Sequence, residues 1–416
     1  MASRVAAHEI GSRVLSADAQ KKIETRIEQA RVIAESLAHL KGAAMKAGQL
    51  LSLDTSEFLP PEAIEILSRL QAAATPARTE EMRALLEREL GVEKSAQLKN
   101  FSEHPHASAS IGQIHTAELN GEKVAIKLQY PGVANSIDSD LAILRRLAEG
   151  FATFAGKKFS LDETFAEIRD VLVQEVDYAN ERMLLERYRD FLSGYKEYIV
   201  PRSFAEFSTP RVLTMSFEDG VPVMEWSRMP TTHPADRARI ARLVLDLFCL
   251  EFCDWGLVQT DPNFGNYLVN RAPGDALVCL DFGATLSYSR EFRQGYAKLL
   301  KSLASNDTES IFHGAVEFGL LDAREPFDAR EAFKDMIQIT MEPFHPDRQP
   351  FQFSDPDYER RTIIANRRFT RSLVYSPPPR KILFLHRKLG GIFSLVKRLG
   401  AEIDLRPYWQ KMSEMN

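Results

Sequence analysis

The sequence predicts an α+β chain of two lobes, with an all-helical segment in front and a mainly helical second lobe. Three observations carry this. Residues 1–100 repeat apolar positions at steps of three and four, the period of one buried helix face. Residues 101–216 hold short apolar runs bounded by Gly, Pro and Asn, which read as strands. Residues 217–416 return to helical spacing, broken by one strand–loop–strand stretch at 258–283. The expected units are therefore an extension (1–100), a first lobe (101–216) and a second lobe (217–416).

The 416 residues are 44% hydrophobic and 27% charged, which suits a globular chain of two or three domains. A net charge of −5 gives no basis for a nucleic-acid surface. The three cysteines, Cys249, Cys253 and Cys279, stand in apolar surroundings and read as packing residues of a reducing compartment. No signal-peptide core is visible at the N-terminus. No window approaches the roughly 18 apolar residues of a membrane span. Residues 243–258 come nearest and are broken by Asp246, Glu251 and Asp254. The expected location is cytoplasmic, with any membrane contact peripheral at the inner membrane.

In the extension, Ile33, Leu37, Leu40, Ala44, Ala47 and Leu51 form one stripe. Lys46 and Gln49 lie on another face, and periodicity alone makes that face solvated. Pro60-Pro61 ends the element, residues 62–70 begin a second helix, and Thr79 caps a third that runs to Leu90. The small residues of Ala107-Ser-Ala-Ser-Ile-Gly-Gln113 suit a tight loop between two strands. Asn120-Gly121 marks a hairpin turn into a strand at 122–129, which carries Lys127. Residues 138–154 and 162–191 read as helices. Within the second, Asp177 and Glu181 share a face and Glu175 points elsewhere. These acids are either a surface set with ordinary contacts to Arg182 and Arg187, or one of them holds Lys127 in place. Residues 211–215 form the last strand of the first lobe, 217–220 a hinge, and 237–255 an apolar helix. Ser289 caps a helix to Leu303. The remainder is helical, with a Pro-rich interruption at 342–357 and a further helix around 383–391.

Within 258–283, Asp261 is followed five positions later by Asn266, and Asp281 closes an apolar run ahead of Phe282 and Gly283. Carboxylate and amide oxygens at strand ends are what a magnesium–triphosphate site needs. Protein kinases use this spacing, with a strand lysine upstream. A strand lysine alone is usually a surface lysine, and Asp-Phe-Gly alone means little. The ordered set of loop, Lys127, Asp261, Asn266 and Asp281 gives a protein-kinase-like fold. After Gly283 there is no Ala-Pro-Glu and no long segment of the kind that positions a protein substrate.

With these residues in hand, the chain resembles the UbiB/ADCK family of atypical kinases from about residue 35 onward. Lys46-Ala-Gly-Gln49 matches the family's Lys-x-Gly-Gln signature. Ala107-Ser-Ala-Ser-Ile-Gly-Gln113 matches its alanine-rich loop, and Val124-Ala-Ile-Lys127 its strand lysine. Glu175-Val-Asp177 matches the Glu-x-Asp signature, with Glu181 at the lysine-pairing position. Thr260-Asp-Pro-Asn-Phe-Gly-Asn266 and Asp281-Phe-Gly-Ala284 complete the set, and Leu385-His-Arg-Lys-Leu-Gly-Gly391 resembles the C-terminal region of the coenzyme Q branch. Thr260 and Asn263 stand where many bacterial members carry His, and the C-terminal membrane spans of bacterial UbiB are missing.

The resemblance implies ATP between the lobes, its adenine edge along Met215 to Glu218. Ala107, Ser108, Ala109, Ser110, Ile111, Gly112 and Gln113 would cover the phosphates, and Lys127, oriented by Glu181, would contact them. Asn266 and Asp281 would hold Mg²⁺, with Asp261 orienting the attacking oxygen. Lys46, held by Glu175 and Asp177, and Gln49 would lie over the nucleotide on a lid helix, filling the place of a peptide. The implied role is support of ubiquinone or other isoprenoid-lipid synthesis. Its partners would be a lipid or quinone-precursor-like molecule, the membrane surface and lipid-biosynthesis enzymes. Two alternatives are a nucleotide-sensing pseudokinase-like scaffold and a small-molecule kinase.

Overall fold

The computed structural model describes residues 77–109, 111–154, 162–270, 275–304, 307–376 and 380–415. The lid segment with Lys46 and Gln49, the helix expected at 62–70, and Ser110 lie outside these residues.

Helix α1 (Thr79–Leu90) opens the described chain, with Glu80 and Glu81 in its first turn, where negative charge suits the exposed amides. Thr79 does not cap it. Arg78 holds the cap position, and the Thr79 hydroxyl donates instead to the Glu103 carbonyl at 2.6 Å. The first sheet follows, from β1 (Ala107–Ser108), β2 (Gly112–Leu119), β3 (Glu122–Gln129) and β5 (Val212–Ser216), antiparallel in the order β1-β2-β3-β5. Asn120 and Gly121 turn β2 into β3 with φ of 53° and 83°, the positive pair such a tight hairpin needs. Side chains alternate across the strands. Val124, Ile126 and Leu128 pack with Met82, Leu85 and Leu86 of α1, which puts α1 in the core of the first lobe. The opposite face carries Ala125 and Lys127 toward the second lobe.

Helix α2 (Val133–Phe154) is followed by two helices where the sequence reads as one: α3 (Asp162–Glu175) and α4 (Tyr178–Leu192). The break is caused by Asp177. Its carboxylate accepts from the Ala179 and Asn180 amides at 3.0 and 3.3 Å, starting a new helix rather than continuing the old one. Glu181 thereby falls in the first turn of α4 and turns inward.

Strand β4 (Tyr198–Ile199) crosses over and pairs in parallel with β9 (Ala276–Cys279). The second lobe's sheet runs β4-β9-β8-β6, with β6 (Val221–Pro222) and β8 (Tyr267–Asn270). Residues 217–220 link the lobes between β5 and β6. Helix α5 (Pro234–Cys249) does not run on to Trp255, because Leu250–Trp255 widens into a π-helical turn. That widening rotates Glu251 into the interior, where it is fully buried. A two-stranded sheet pairs β7 (Leu257–Gln259) with β10 (Thr285–Ser287). Helix α6 (Arg290–Leu303) starts where the Ser289 hydroxyl accepts from the Phe292 amide at 3.3 Å.

Helices α7 (Thr308–Glu317), α8 (Phe327–Met341), α9 (Pro356–Ser372), α10 (Arg380–Leu399) and α11 (Arg406–Ser413) complete the lobe. Its core gathers Trp226, Phe248, Phe252, Phe282, Leu385 and Val396. The three cysteines are free, Cys249 and Cys279 buried in that core. Among the described residues no helix is long and apolar enough to cross a membrane. Met82, with no exposed surface, joins α1 to the sheet. Met82→Ala should lower unfolding free energy by about 2–5 kcal/mol in urea titrations, as large-to-small core changes do.

Candidate active site

Three distant parts of the chain meet at Lys127. Strand β3 places its ammonium on the inner sheet face, where Nζ lies 2.7 and 2.9 Å from the two Glu181 oxygens. Asp281 Oδ2 stands 3.1 Å away on the other side. The Tyr178 ring lies 5.1 Å from the same nitrogen. Lys127 and Glu181 are almost wholly buried, whereas the Asp281 side chain keeps 26% of its surface exposed. Burial works against the lysine's charge, but Asp281 and Glu181 more than offset it and hold its pKa well above the ordinary value. Burial also pushes the Glu181 carboxyl up, against the pull of Lys127.

The loop from Thr260 to Asn266 is held by its ends. The Thr260 amide and hydroxyl both donate to the Ala284 carbonyl, at 2.8 and 2.7 Å. The Leu280 amide donates to the Asn266 carbonyl at 3.0 Å. A 3₁₀ turn at Phe264–Asn266, capped by the Asn263 side chain, curls the loop between these ties. Asp261 and Asn266 are thereby drawn together, with Asn266 Nδ2 3.4 Å from Asp261 Oδ2, and the Leu280 tie brings the start of the Asp281 segment alongside Asn266. Asp281 is itself oriented by the Gly283 amide, which donates to Oδ1 at 3.0 Å. Phe282 packs on Tyr188 of α4 at 4.6 Å between ring centroids. The Tyr188 hydroxyl lies 2.9 Å from Glu251 Oε1 and 3.0 Å from the Leu257 carbonyl. This column ties the Glu181 helix to the floor of the second lobe.

The small-residue loop divides. Ala107 and Ser108 are exposed and Ala109 is half-buried, with the Ala109 amide bonded to the Gly112 carbonyl at 2.9 Å. Gly112 lies so close to β3 that a Cβ would meet the Leu128 carbonyl oxygen at 2.2 Å. Ile111 and Gln113 are buried. The Gln113 side chain sits 2.8 Å from His115 Nε2, on the sheet face packed against α1. The cause is strand alternation, since Gln113 pairs with Leu128 and so shares its outward direction. Met215 is buried opposite Ala125, and Glu218 accepts from the Ser216 hydroxyl at 2.5 Å at the mouth of the lobe link. Glu175 and Asp177 stand at the α3–α4 junction, Glu175 buried and Asp177 occupied as the cap.

Two residues that the motif order did not reveal also reach the loop, both from α10. Arg387 places a guanidinium nitrogen 3.5 Å from Asp261 Oδ1. Lys388 is buried, with Nζ 3.0 Å from Gln259 Oε1, 2.9 Å from the Tyr267 hydroxyl and 3.7 Å from Glu251 Oε2. The signal in the sequence was a pair of adjacent cations within the mostly apolar stretch from Ile382 to Val396, which demands buried partners.

The site holds two chemical parts: a charged lysine for anionic oxygens, and a carboxylate–amide set of hard oxygen donors. Asp281 and Asn266 suit Mg²⁺ by donor type. Among the described residues no group of three or more His, Cys, Asp or Glu is arranged to hold a metal unaided. Phosphate oxygens complete such a shell in kinase sites. Only Ala284 to Ser289 separate Gly283 from α6, and part of that is β10.

This fold and cleft define a kinase-like protein. Residues 69–314 match the model of the ABC1 atypical kinase-like domain, and the chain belongs to that family. It is 34% identical over 373 residues to the atypical kinase COQ8, mitochondrial, of Saccharomyces cerevisiae, covering 89% of this chain and 73% of the relative. It is 31% identical to the atypical kinase coq-8, mitochondrial, of Caenorhabditis elegans, over 92% of this chain and 50% of the relative. A Mycobacterium tuberculosis protein, Rv3197, solved in complex with erythromycin, superposes with a TM-score of 0.62 at 22% identity, covering 96% of this chain and all of that one. That likeness bears on the fold.

Breaking the central pair should be costly. Glu181→Gln leaves Lys127 buried with Asp281 alone, so unfolding free energy should fall by about 3 kcal/mol, the lower end for broken buried pairs. Urea unfolding of the variant beside the parent measures it.

Proposed function

We propose that this protein binds Mg-ATP between its lobes and transfers or hydrolyses the terminal phosphoryl group, in support of ubiquinone or related isoprenoid-lipid synthesis. The observation that carries the reading is the Lys127–Glu181–Asp281 cluster. Lys127 binds phosphate oxygens and is held charged for that purpose. Asp281 and Asn266 hold the metal, which when bound neutralises charge on the transferring group. Asp261 orients the attacking oxygen from across the loop. The Met215–Glu218 backbone faces the adenine edge, and Ala107 to Ala109 cover the phosphates. Of the loop expected to do so, Gln113 turns its side chain toward α1 instead.

The acceptor is water or a small hydrophobic molecule, not a protein. The short passage from Gly283 to α6 supports this, because it leaves no extended segment to seat a peptide. The coenzyme Q context comes from the family resemblance and the names of the relatives. Membrane contact is peripheral, and a lipid surface raises turnover. The pseudokinase reading has less support, since the sequence keeps Lys127, Glu181, Asp261, Asn266 and Asp281 together as a set.

Purified protein should bind Mg-ATP and hydrolyse it slowly, without labelling a generic protein substrate. Lys127→Ala and Asp281→Asn should each weaken nucleotide binding at least tenfold by calorimetry; unchanged affinity in both would refute the site. In the source organism, deletion should lower the isoprenoid quinone pool. Wild type should restore the pool and Asp281→Asn should not, as read by mass spectrometry of extracted lipids.

A further inference from the structure

Phosphoryl transfer needs its acceptor-orienting carboxylate fixed to within a fraction of an ångström, and a displacement of about 1 Å can cost 10²-fold in rate. The loop from Thr260 to Asn266 contains no Lys or Arg that could steady Asp261 from within. The support comes from α10, far downstream and outside the residues matched by the family's domain model.

The contacts of α10 with the loop are consecutive. Lys388 grips Gln259 ahead of Asp261 at 3.0 Å and Tyr267 beyond the loop at 2.9 Å. Arg387 meets Asp261 Oδ1 at 3.5 Å, while Asn266 faces the other oxygen at 3.4 Å. Gly391 lies so close to Pro262 that a Cβ would stand 2.3 Å from the proline's own Cβ. Arg398 stacks over Phe264 at 5.5 Å. One helix therefore braces the loop before, at and after the carboxylate.

Arg387 is the part of this brace with a chemical purpose beyond packing. It is 9% exposed and its Nε is buried without a hydrogen-bond partner. Guanidinium stays charged in proteins, and burying it is costly unless its charge is used. A residue needed only to fill space would be apolar here. Lys388 is the anchor that fixes the register: burial opposes its charge, yet Glu251 and Tyr267 hold its pKa above the ordinary value. The π turn that brings Glu251 inward is thus what seats α10 on the loop.

We propose that Arg387 is a positioning residue for the acceptor-orienting carboxylate, holding Asp261 in line from α10, whose seat on the catalytic loop sets the turnover rate. The proposal rests on the phosphoryl-transfer reading of Asp261. On that reading Arg387 acts through the carboxylate, which confines its effect to turnover.

The test uses the full chain, with Mg-ATP as the probe. Arg387→Met keeps the stem and removes the charge. Turnover should fall at least tenfold while the Mg-ATP dissociation constant stays within twofold, and Arg387→Lys should recover a large part of the loss. Turnover within twofold of wild type, loss of affinity in parallel with turnover, or an Arg387→Lys no better than Arg387→Met would each overturn the proposal. Should Arg387→Met fail to fold, Gly391→Ala keeps the charge, favours the helix and pushes Pro262. It should also lower turnover at least tenfold at unchanged nucleotide affinity, and normal turnover would overturn the brace. A double-mutant cycle in thermal unfolding separates this inference from the reading beneath it. Arg387→Lys and Asp261→Asn should shift the midpoint non-additively, and additive shifts would overturn the pairing even if wild type proved inactive on ATP.

Discussion

Lys127 carries a positive charge into a place with almost no water, and the molecule around it is arranged to permit that. The ammonium is acceptable only because Glu181 and Asp281 approach it together. These acids come from α4 and from the loop after β9, so satisfying one buried cation joins the first lobe's sheet, its inner helix and the second lobe's floor. Desolvating an unpaired ammonium would cost several kcal/mol, a large share of the stability of a typical domain. The cluster is thus a structural requirement, and it keeps the lysine charged.

The second lobe supplies the stiffness that this arrangement needs. Phe282 packs on Tyr188, and Tyr188 is fixed by Glu251 and the Leu257 carbonyl. Glu251 faces inward because α5 ends in a π turn rather than continuing. The same carboxylate lies near Lys388 on α10, so one irregular turn serves both the Glu181 helix and the helix beneath the catalytic loop. Irregular helical turns at functional sites fit this pattern, since a regular turn would have pointed Glu251 elsewhere.

Much of this was legible in the sequence. The hairpin at Asn120-Gly121, the strand bearing Lys127, and the order of Asp261, Asn266 and Asp281 follow from local turn chemistry and from spacing. Two kinds of feature were not. Gln113 belongs to the recognisable loop motif, yet strand register turns it toward α1, because a motif records order and not direction. The long acidic helix was split by Asp177, whose carboxylate outcompeted helix continuation once the Tyr178 amide was taken by the Pro210 carbonyl. Spacing alone could not rank Asp177 against Glu181. The cap gave Asp177 its task and left Glu181 facing the lysine.

What the sequence determined by itself was the set of parts: strand lysine, carboxylates, amide, and the short passage after Gly283. Each rests on short-range chemistry, where residue type and spacing suffice. What only the tertiary structure decided was which parts meet. Arg387 and Lys388 stand more than a hundred residues from the loop they brace, at |i−j| of 129 for Lys388 and Gln259. Nothing in local spacing couples such positions. Their pairing is settled by the packing of α10 within the second lobe, where buried charges accept only the partners that the fold brings to them.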